Sequence, residues 1–176
     1  QYRDSKFVVV DVDGTLADIS HRKHFVSKRW QTGTKCPAHF PNAKTDKCDN
    51  CGEGYMKKDW DSFFVHVDKD TPVRPITTLV AHLSTMGYTI LVVSGRSIEQ
   101  CGKATEDWLD RHCPFLYDGL FMRGWNDRRE DSIVKEEILD LLPKDRIAYV
   151  LDDRSQVVEM WRRNGLTCLQ VASGDF

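Results

Sequence analysis

The sequence predicts an α/β fold, a doubly wound and mainly parallel five-stranded sheet, on two observations. Short β-branched runs recur along the chain, and from residue 72 onward they alternate with segments of helical apolar period. A third observation, an irregular stretch rich in Lys, Cys, Gly and Asn at residues 23–70, predicts a small cap inserted near the start of that sheet.

Residues 7–12 (Phe-Val-Val-Val-Asp-Val) are almost continuously apolar, as a strand covered on both faces must be, so this run belongs in the middle of the sheet. Residues 88–93 and 147–151 repeat the pattern, and 119–122 and 167–171 repeat it more weakly. Between them Ile76, Leu79, Val80, Leu83 and Met86 follow a helical period, with Pro75 in the first turn and Gly87 as the stop. Ile98, Cys101, Thr105, Trp108 and Leu109 form a second stripe, and Ile133, Ile138, Leu141 and Leu142 a third. Val157, Val158 and Trp161, before Asn164-Gly165, form a fourth, and Trp60, Phe63, Phe64 and Val67 predict a helix inside the insertion. Residues 1–22 and 71–176 read as one core with 23–70 as its cap. Right-handed crossovers place all strand C-termini on one edge, where such sheets bind ligands.

With 25 Lys+Arg against 27 Asp+Glu, the 176-residue chain lacks the global basic field of a protein that wraps nucleic acid, so any polynucleotide contact is local. Hydrophobic residues at 40% argue against disorder, and no apolar run approaches the ~18 residues of a membrane span, so no membrane partner and a cytoplasmic location are expected. The chain opens Gln1-Tyr2-Arg3-Asp4 without initiator Met, signal core or lipidation motif, and is expected to be a piece of something longer. It contains no G-x₄-G-K-[ST] loop and hence no P-loop kinase chemistry of its own.

Asp11 and Asp13 flank the end of the first strand, Ser94-Gly95-Arg96 follows the second, and Asp152-Asp153 follows the strand at 147–151. Four carboxylates gathered on one edge repel one another and call for a cation. Hard oxygen donors with no nearby His or Cys favour Mg²⁺ together with a substrate phosphate. One carboxylate can then attack phosphorus, while a second, two residues on and on the same side, protonates the leaving alkoxide and later activates water.

Inside the insertion, Cys36-Pro-Ala-His39 and Cys48-Asp-Asn-Cys51 form a C-x₂-H…C-x₂-C arrangement that predicts a structural Zn²⁺ knuckle, with free thiols or a disulfide as the alternative. Lys35, Lys44, Lys47, Lys57 and Lys58 make this segment either a guide for a nucleic-acid strand or a purely steric cap. Trp30, Tyr55, Trp60 and Trp125 are able to stack a terminal base, although most such rings serve packing.

The run Asp11-Val-Asp13-Gly14-Thr15, then Ser94, Lys135 and Asp152-Asp153, resembles in order the four motifs of the haloacid dehalogenase superfamily. Asp131-Ser-Ile-Val-Lys135-Glu-Glu, Leu151-Asp-Asp-Arg154-Ser-Gln-Val-Val-Glu-Met-Trp-Arg-Arg and the ending Gln170-Val-Ala-Ser-Gly-Asp-Phe176 closely resemble the phosphatase domain of the bacteriophage polynucleotide 5′-kinase/3′-phosphatase family. That resemblance covers residues 5–22 and 74–176 and has no counterpart for 23–70. It implies Asp11 as nucleophile, Asp13 as general acid/base, Ser94 as a phosphate-oxygen donor and Lys135 as the neutralising cation. It further implies Asp11, Asp13, Asp152 and Asp153 around Mg²⁺, with Arg22, Arg96 and Asp131 serving the substrate. The implied activity is Mg²⁺-dependent removal of 3′-phosphates from DNA or RNA through an aspartyl-phosphate, beside an N-terminal kinase domain absent from this chain, in a host cytoplasm if phage-encoded. The alternative is a nucleotidase acting on mononucleotides; a nucleic-acid-binding module without turnover is disfavoured by the intact Asp11 and Asp13.

Overall fold

The computed structural model describes residues 6–27, 41–42, 47–48 and 58–174. In chain order its elements are β1 (Phe7–Val10), β2 (Ala17–Asp18), β3 (Pro41–Asn42), β4 (Lys47–Cys48), α1 (Trp60–Val65), β5 (Thr71–Pro72), α2 (Arg74–Thr85), β6 (Thr89–Ser97), α3 (Ile98–His112), β7 (Gly119–Arg123), α4 (Asp131–Asp140), β8 (Ile147–Asp152), α5 (Ser155–Arg163) and β9 (Cys168–Gln170). Five strands form one sheet in the order β7-β6-β1-β8-β9, every neighbouring pair parallel. β2 with β5, and β3 with β4, make two short antiparallel pairs. No helix among the described residues is long and apolar enough to cross a membrane.

The unbroken apolarity of β1 follows from its central place. Val8 and Val10 point into one apolar layer with Val92, Val80 and Trp108, while Val9 points into the other with Val93, Val134, Val157 and Trp161. Helices α1, α2 and α3 cover the first face, and α4 and α5 the second. Val26, Phe63, Phe64 and Val67, all from the predicted cap, join the same layer as Val8 and Val10. The six-residue α1 has too little apolar surface for a core of its own, so the described ends of the insertion are built onto the main one.

Three details differ from the sequence pattern. β6 continues past Val93 to Ser97, because Ser94 and Ser97 still pair with Met122 and Arg123 across a register irregularity. In α2, Leu79 faces outward, as does Met86 at its C-cap, while Thr77 and Val80 are buried. In α4, Ile133 and Leu141 are exposed, and Val134 and Leu139 take the inward positions. Cys36, His39 and Cys51 of the expected zinc set, with Lys35, Lys44, Lys57, Trp30 and Tyr55, lie outside the described residues; Cys48 and Lys47 are described only through the backbone of β4.

The chain winds outward from β1 through β6 to β7, then crosses to β8 and β9 on the other side. The reversal leaves a crevice beyond the C-termini of β1 and β8, the place where open α/β sheets bind ligands.

Candidate active site

Register places the acids together. The backbone N–H of Asp11 donates to the carbonyl of Leu151 at 2.9 Å, so the residue leaving β1 lies beside Asp152 at the end of β8. Lys135 reaches the same point from α4. Its Nζ donates to Asp11 Oδ1 at 2.6 Å and to Asp152 Oδ2 at 2.9 Å, with Asp131 Oδ2 at 3.6 Å. Asp131 and Lys135, four apart on one helix, share a face by helical period. Asp152 is further fixed by Trp161 Nε1 at 3.1 Å and by the N–H of Arg154 at 3.2 Å.

Burial pushes the Asp11 carboxyl well up from its ordinary value; Lys135 opposes this, and Asp152, Asp153 and Asp131 add to it. Asp153 is pushed up to about 6, first by burial and then by Asp152. Burial works against the charged form of Lys135, yet Asp11, Asp152 and Asp131 more than offset it and hold the ammonium charged. One ammonium against these acids leaves an excess of negative charge.

The donors fit a divalent cation. Asp11, Asp152 and Asp153 each offer an oxygen, all within 4.8 Å of one another. Asp153 Oδ1 is buried with no hydrogen-bond partner, an orphan that a hard cation or its water would satisfy. Two glycines leave space for that carboxylate: a Cβ at Gly14 would stand 2.1 Å from Asp153 Oδ2, and one at Gly174 2.6 Å from it. Gly14 also has φ +85°, a conformation that side chains disfavour. Asp13, expected as a fourth carboxylate ligand, is not in this group, because its carboxylate is claimed by arginines.

Asp13 Oδ1 accepts from Arg22 Nη2 at 2.7 Å, Arg96 Nε at 2.8 Å and Arg96 Nη2 at 2.6 Å. Burial acts to raise its pKa, but the two guanidiniums outweigh that and hold it below the ordinary value. Arg22 and Arg96 are themselves completely buried and do not line the cavity described below. Their remaining donors go to protein: Arg22 to Asp70 and, over the Phe63 ring, to the Phe63 carbonyl, and Arg96 to Asp70 and Thr105. A buried guanidinium needs a buried acid, and Asp70 supplies it to both. In this structure the two arginines form a clamp behind Asp13, with their donors on Asp13, Asp70 and their neighbours.

Sequence reasoning missed Asp70. It lies at the end of the irregular stretch, before Thr71-Pro72, with no motif around it. Its Oδ1 also meets His21 Nε2 at 2.9 Å, and its carbonyl accepts from Trp108 Nε1 at 2.7 Å. No signal in the sequence pointed to it, because its need arises only once Arg22 and Arg96 are buried side by side.

A cavity of about 550 Å³ opens over Asp11 and Asp13. Trp60, Phe63 and Phe64 of α1 form one wall, and Arg123 at the end of β7 with Arg128 and Arg129 beyond it form another. Gln100 Nε2 donates to Asp61 Oδ1, tying α1 to α3 across one end. Ser94 is buried, accepts from the N–H of Arg96 at 3.2 Å and does not line the cavity; Gly95 and Ser97 of the same segment do. Asp131 lines it as well, with its carboxylate against Gly95, where a Cβ would stand 2.0 Å from Oδ1.

The fold resembles that of a haloacid dehalogenase-like hydrolase of Streptococcus pneumoniae, with a TM-score of 0.53 at 15% identity over 94% of this chain and 83% of that one. Nearer relatives occur in two structures of the Pnkp1/Rnl/Hen1 complex, one titled an RNA repair complex. Their TM-scores are 0.68 and 0.66 at 27% and 30% identity, over all of this chain but only 45% and 49% of those chains. A protein of Autographa californica nuclear polyhedrosis virus, named as a bifunctional polynucleotide kinase/RNA ligase, is 28% identical over 126 residues, 70% of this chain and 18% of that protein. The chain thus spans less than half of the matched chains of the two complexes and of the viral protein. Residues 57–176 match the family model of the polynucleotide kinase PNKP phosphatase domain, which takes in the β6 edge, Lys135 and Asp152-Asp153. With this match over most of its length, the chain belongs to the haloacid dehalogenase-type phosphatase domains of the PNKP polynucleotide kinase family.

Proposed function

We propose that this phosphatase is a Mg²⁺-dependent polynucleotide 3′-phosphatase that works through an aspartyl-phosphate on Asp11. The observation carrying this reading is the cavity over Asp11 and Asp13, larger than a phosphate alone requires and walled by aromatic rings and arginines.

Asp11 attacks phosphorus in line with the leaving sugar oxygen; a P–O bond to its carboxylate forms as the bond to the sugar breaks. Asp13 in its protonated form delivers a proton to that oxygen; the carboxylate left behind, the form that Arg22 and Arg96 favour, then takes a proton from the water that cleaves the aspartyl-phosphate and restores Asp11. Arg22 and Arg96, anchored by Asp70, act as positioning residues that hold Asp13 two residues from the nucleophile. Lys135 orients Asp11 and opposes, without cancelling, the rise in its pKa that burial causes. Asp11, Asp152 and Asp153 are the residues that would hold Mg²⁺, which when bound offsets the negative charge of the transferred phosphoryl group. Asp131 orients Lys135 and, through Arg123 and Arg154, the cavity wall.

Two finer readings accompany it. The names of the relatives pair such a domain with kinase and ligase activities, and we infer a 5′-kinase as the companion of this one in the repair of DNA or RNA ends. We also infer that Cys36, His39, Cys48 and Cys51 bind a structural Zn²⁺. Supporting this, the antiparallel pairing of Pro41 with Cys48 reverses the chain between the two ligand pairs. Zinc content near one equivalent, lost in Cys48→Ser, is the expected measurement.

Phosphate release from 3′-phosphorylated DNA and RNA oligonucleotides and from 3′- and 5′-mononucleotides, with Mg²⁺ and with EDTA, tests the function, with Asp11→Asn as blank. Release from oligonucleotides that requires both Mg²⁺ and Asp11 is expected. Release from mononucleotides alone would replace this reading with a nucleotidase.

A further inference from the structure

The connection between β7 and α4 is braced from within. Arg123 donates through Nε to the Gly95 carbonyl at 2.9 Å, through Nη1 to the Arg129 carbonyl at 2.7 Å and through Nη2 to Asp131 at 3.3 Å. Arg129 in turn holds Asp127, by its N–H and its Nε at 3.0 Å each, and Glu137. At the tip, Asn126 has φ +53°, the one non-glycine residue with positive φ among the described residues. Strain of this kind persists where surrounding structure imposes it and is concentrated at binding sites.

Two side chains of this rigid loop are left over. Arg128 is exposed and lines the cavity, yet among the described residues it has no hydrogen bond or ion pair, although carboxylates line the same cavity. Trp125 is 75% exposed, the most exposed tryptophan described. An unpaired guanidinium and a bare indole three residues apart, on a loop already ordered, match the two elements of single-strand recognition, a cation for the backbone and a ring for a base. Their pre-ordering lowers the entropy cost of binding.

We propose that Trp125 and Arg128 form a subsite for the nucleotide on the 5′ side of the terminal one. Arg128 pairs with its phosphodiester and Trp125 stacks its base, so the loop selects a strand over a mononucleotide. The inference rests on the polynucleotide reading above.

The test compares the chain with its Trp125→Ala, Arg128→Ala and Arg128→Lys variants on a 3′-phosphorylated single-stranded octanucleotide and on a 3′-mononucleotide. Each alanine variant is expected to lose about tenfold in kcat/KM on the octanucleotide, mainly through KM, and several-fold less on the mononucleotide. Arg128→Ala should also flatten the slope of log(1/KM) against log[salt] by about 0.7, while Trp125→Ala and Arg128→Lys keep it. Equal losses on both substrates, or none on the octanucleotide, overturn the subsite. Activity of the unaltered chain on the mononucleotide alone overturns the polynucleotide reading itself, a distinct result because no variant is needed to see it.

Discussion

Lys135 Nζ stands 2.6 Å from Asp11 Oδ1, joining residues 124 apart in sequence, with both side chains almost wholly buried. Without that ammonium, Asp11, Asp152 and Asp153 face one another with only the weaker pull of Arg154 on Asp153 to offset their charge. Lys135→Met is expected to cost about 3 kcal/mol in EDTA by chemical denaturation and to abolish turnover. Mg²⁺ should then raise the Tm of the variant more than that of the unaltered chain. A variant as stable in EDTA as its parent would remove Lys135 from this role.

Asp153 sets a pH dependence in the metal-free protein. Its folded pKa of about 6 exceeds the ordinary 3.8, so the folded chain binds this proton more tightly than the unfolded chain does. Stability from this group is present below about 4 and is lost as pH rises through 6. Asp13, held below 3.8, has the opposite sign and contributes stability that disappears as pH falls through its folded value. Asp153→Asn should flatten the pH 4–6 limb in EDTA and remove the rise in Tm on adding Mg²⁺; an unchanged limb would show that another group sets it.

Asp70 is shared by Arg22 and Arg96, the two arginines that hold Asp13. Asp70→Asn takes away the charge facing both and is expected to cost about 3 kcal/mol. Turnover of p-nitrophenyl phosphate should fall more than tenfold in kcat with a smaller change in KM, since Asp70 touches no substrate. A loss confined to stability, with kcat intact at low temperature, would make Asp70 purely structural.

Gly14 and Gly87 both have positive φ, +85° and +91°. A Cβ at Gly87 meets nothing within 4 Å, whereas one at Gly14 collides with Asp153. Gly87→Ala should therefore cost about 1 kcal/mol with activity kept. Gly14→Ala should displace Asp153 and lower Mg²⁺ affinity at least tenfold, measured by the Mg²⁺ dependence of turnover.

The sequence by itself determined the alternation of strands and helices, the central place of residues 7–12 and the gathering of Asp11 with Asp152; Lys135 joined them only through the family resemblance. Those three features are written in local pattern: an apolar run marks a strand with two covered faces, and acids at strand ends fall on one edge of a parallel sheet. The outward turn of Ile133 and Leu141 was not legible, because a stripe of period 3.6 leaves open which of two adjacent positions meets the sheet. Only the tertiary structure decided the partners of Arg22 and Arg96. A guanidinium beside an active site reads the same whether it faces substrate or protein, and the choice rests on Asp70, 48 residues from Arg22 and 26 from Arg96, brought to them by a fold that cannot bury either charge alone.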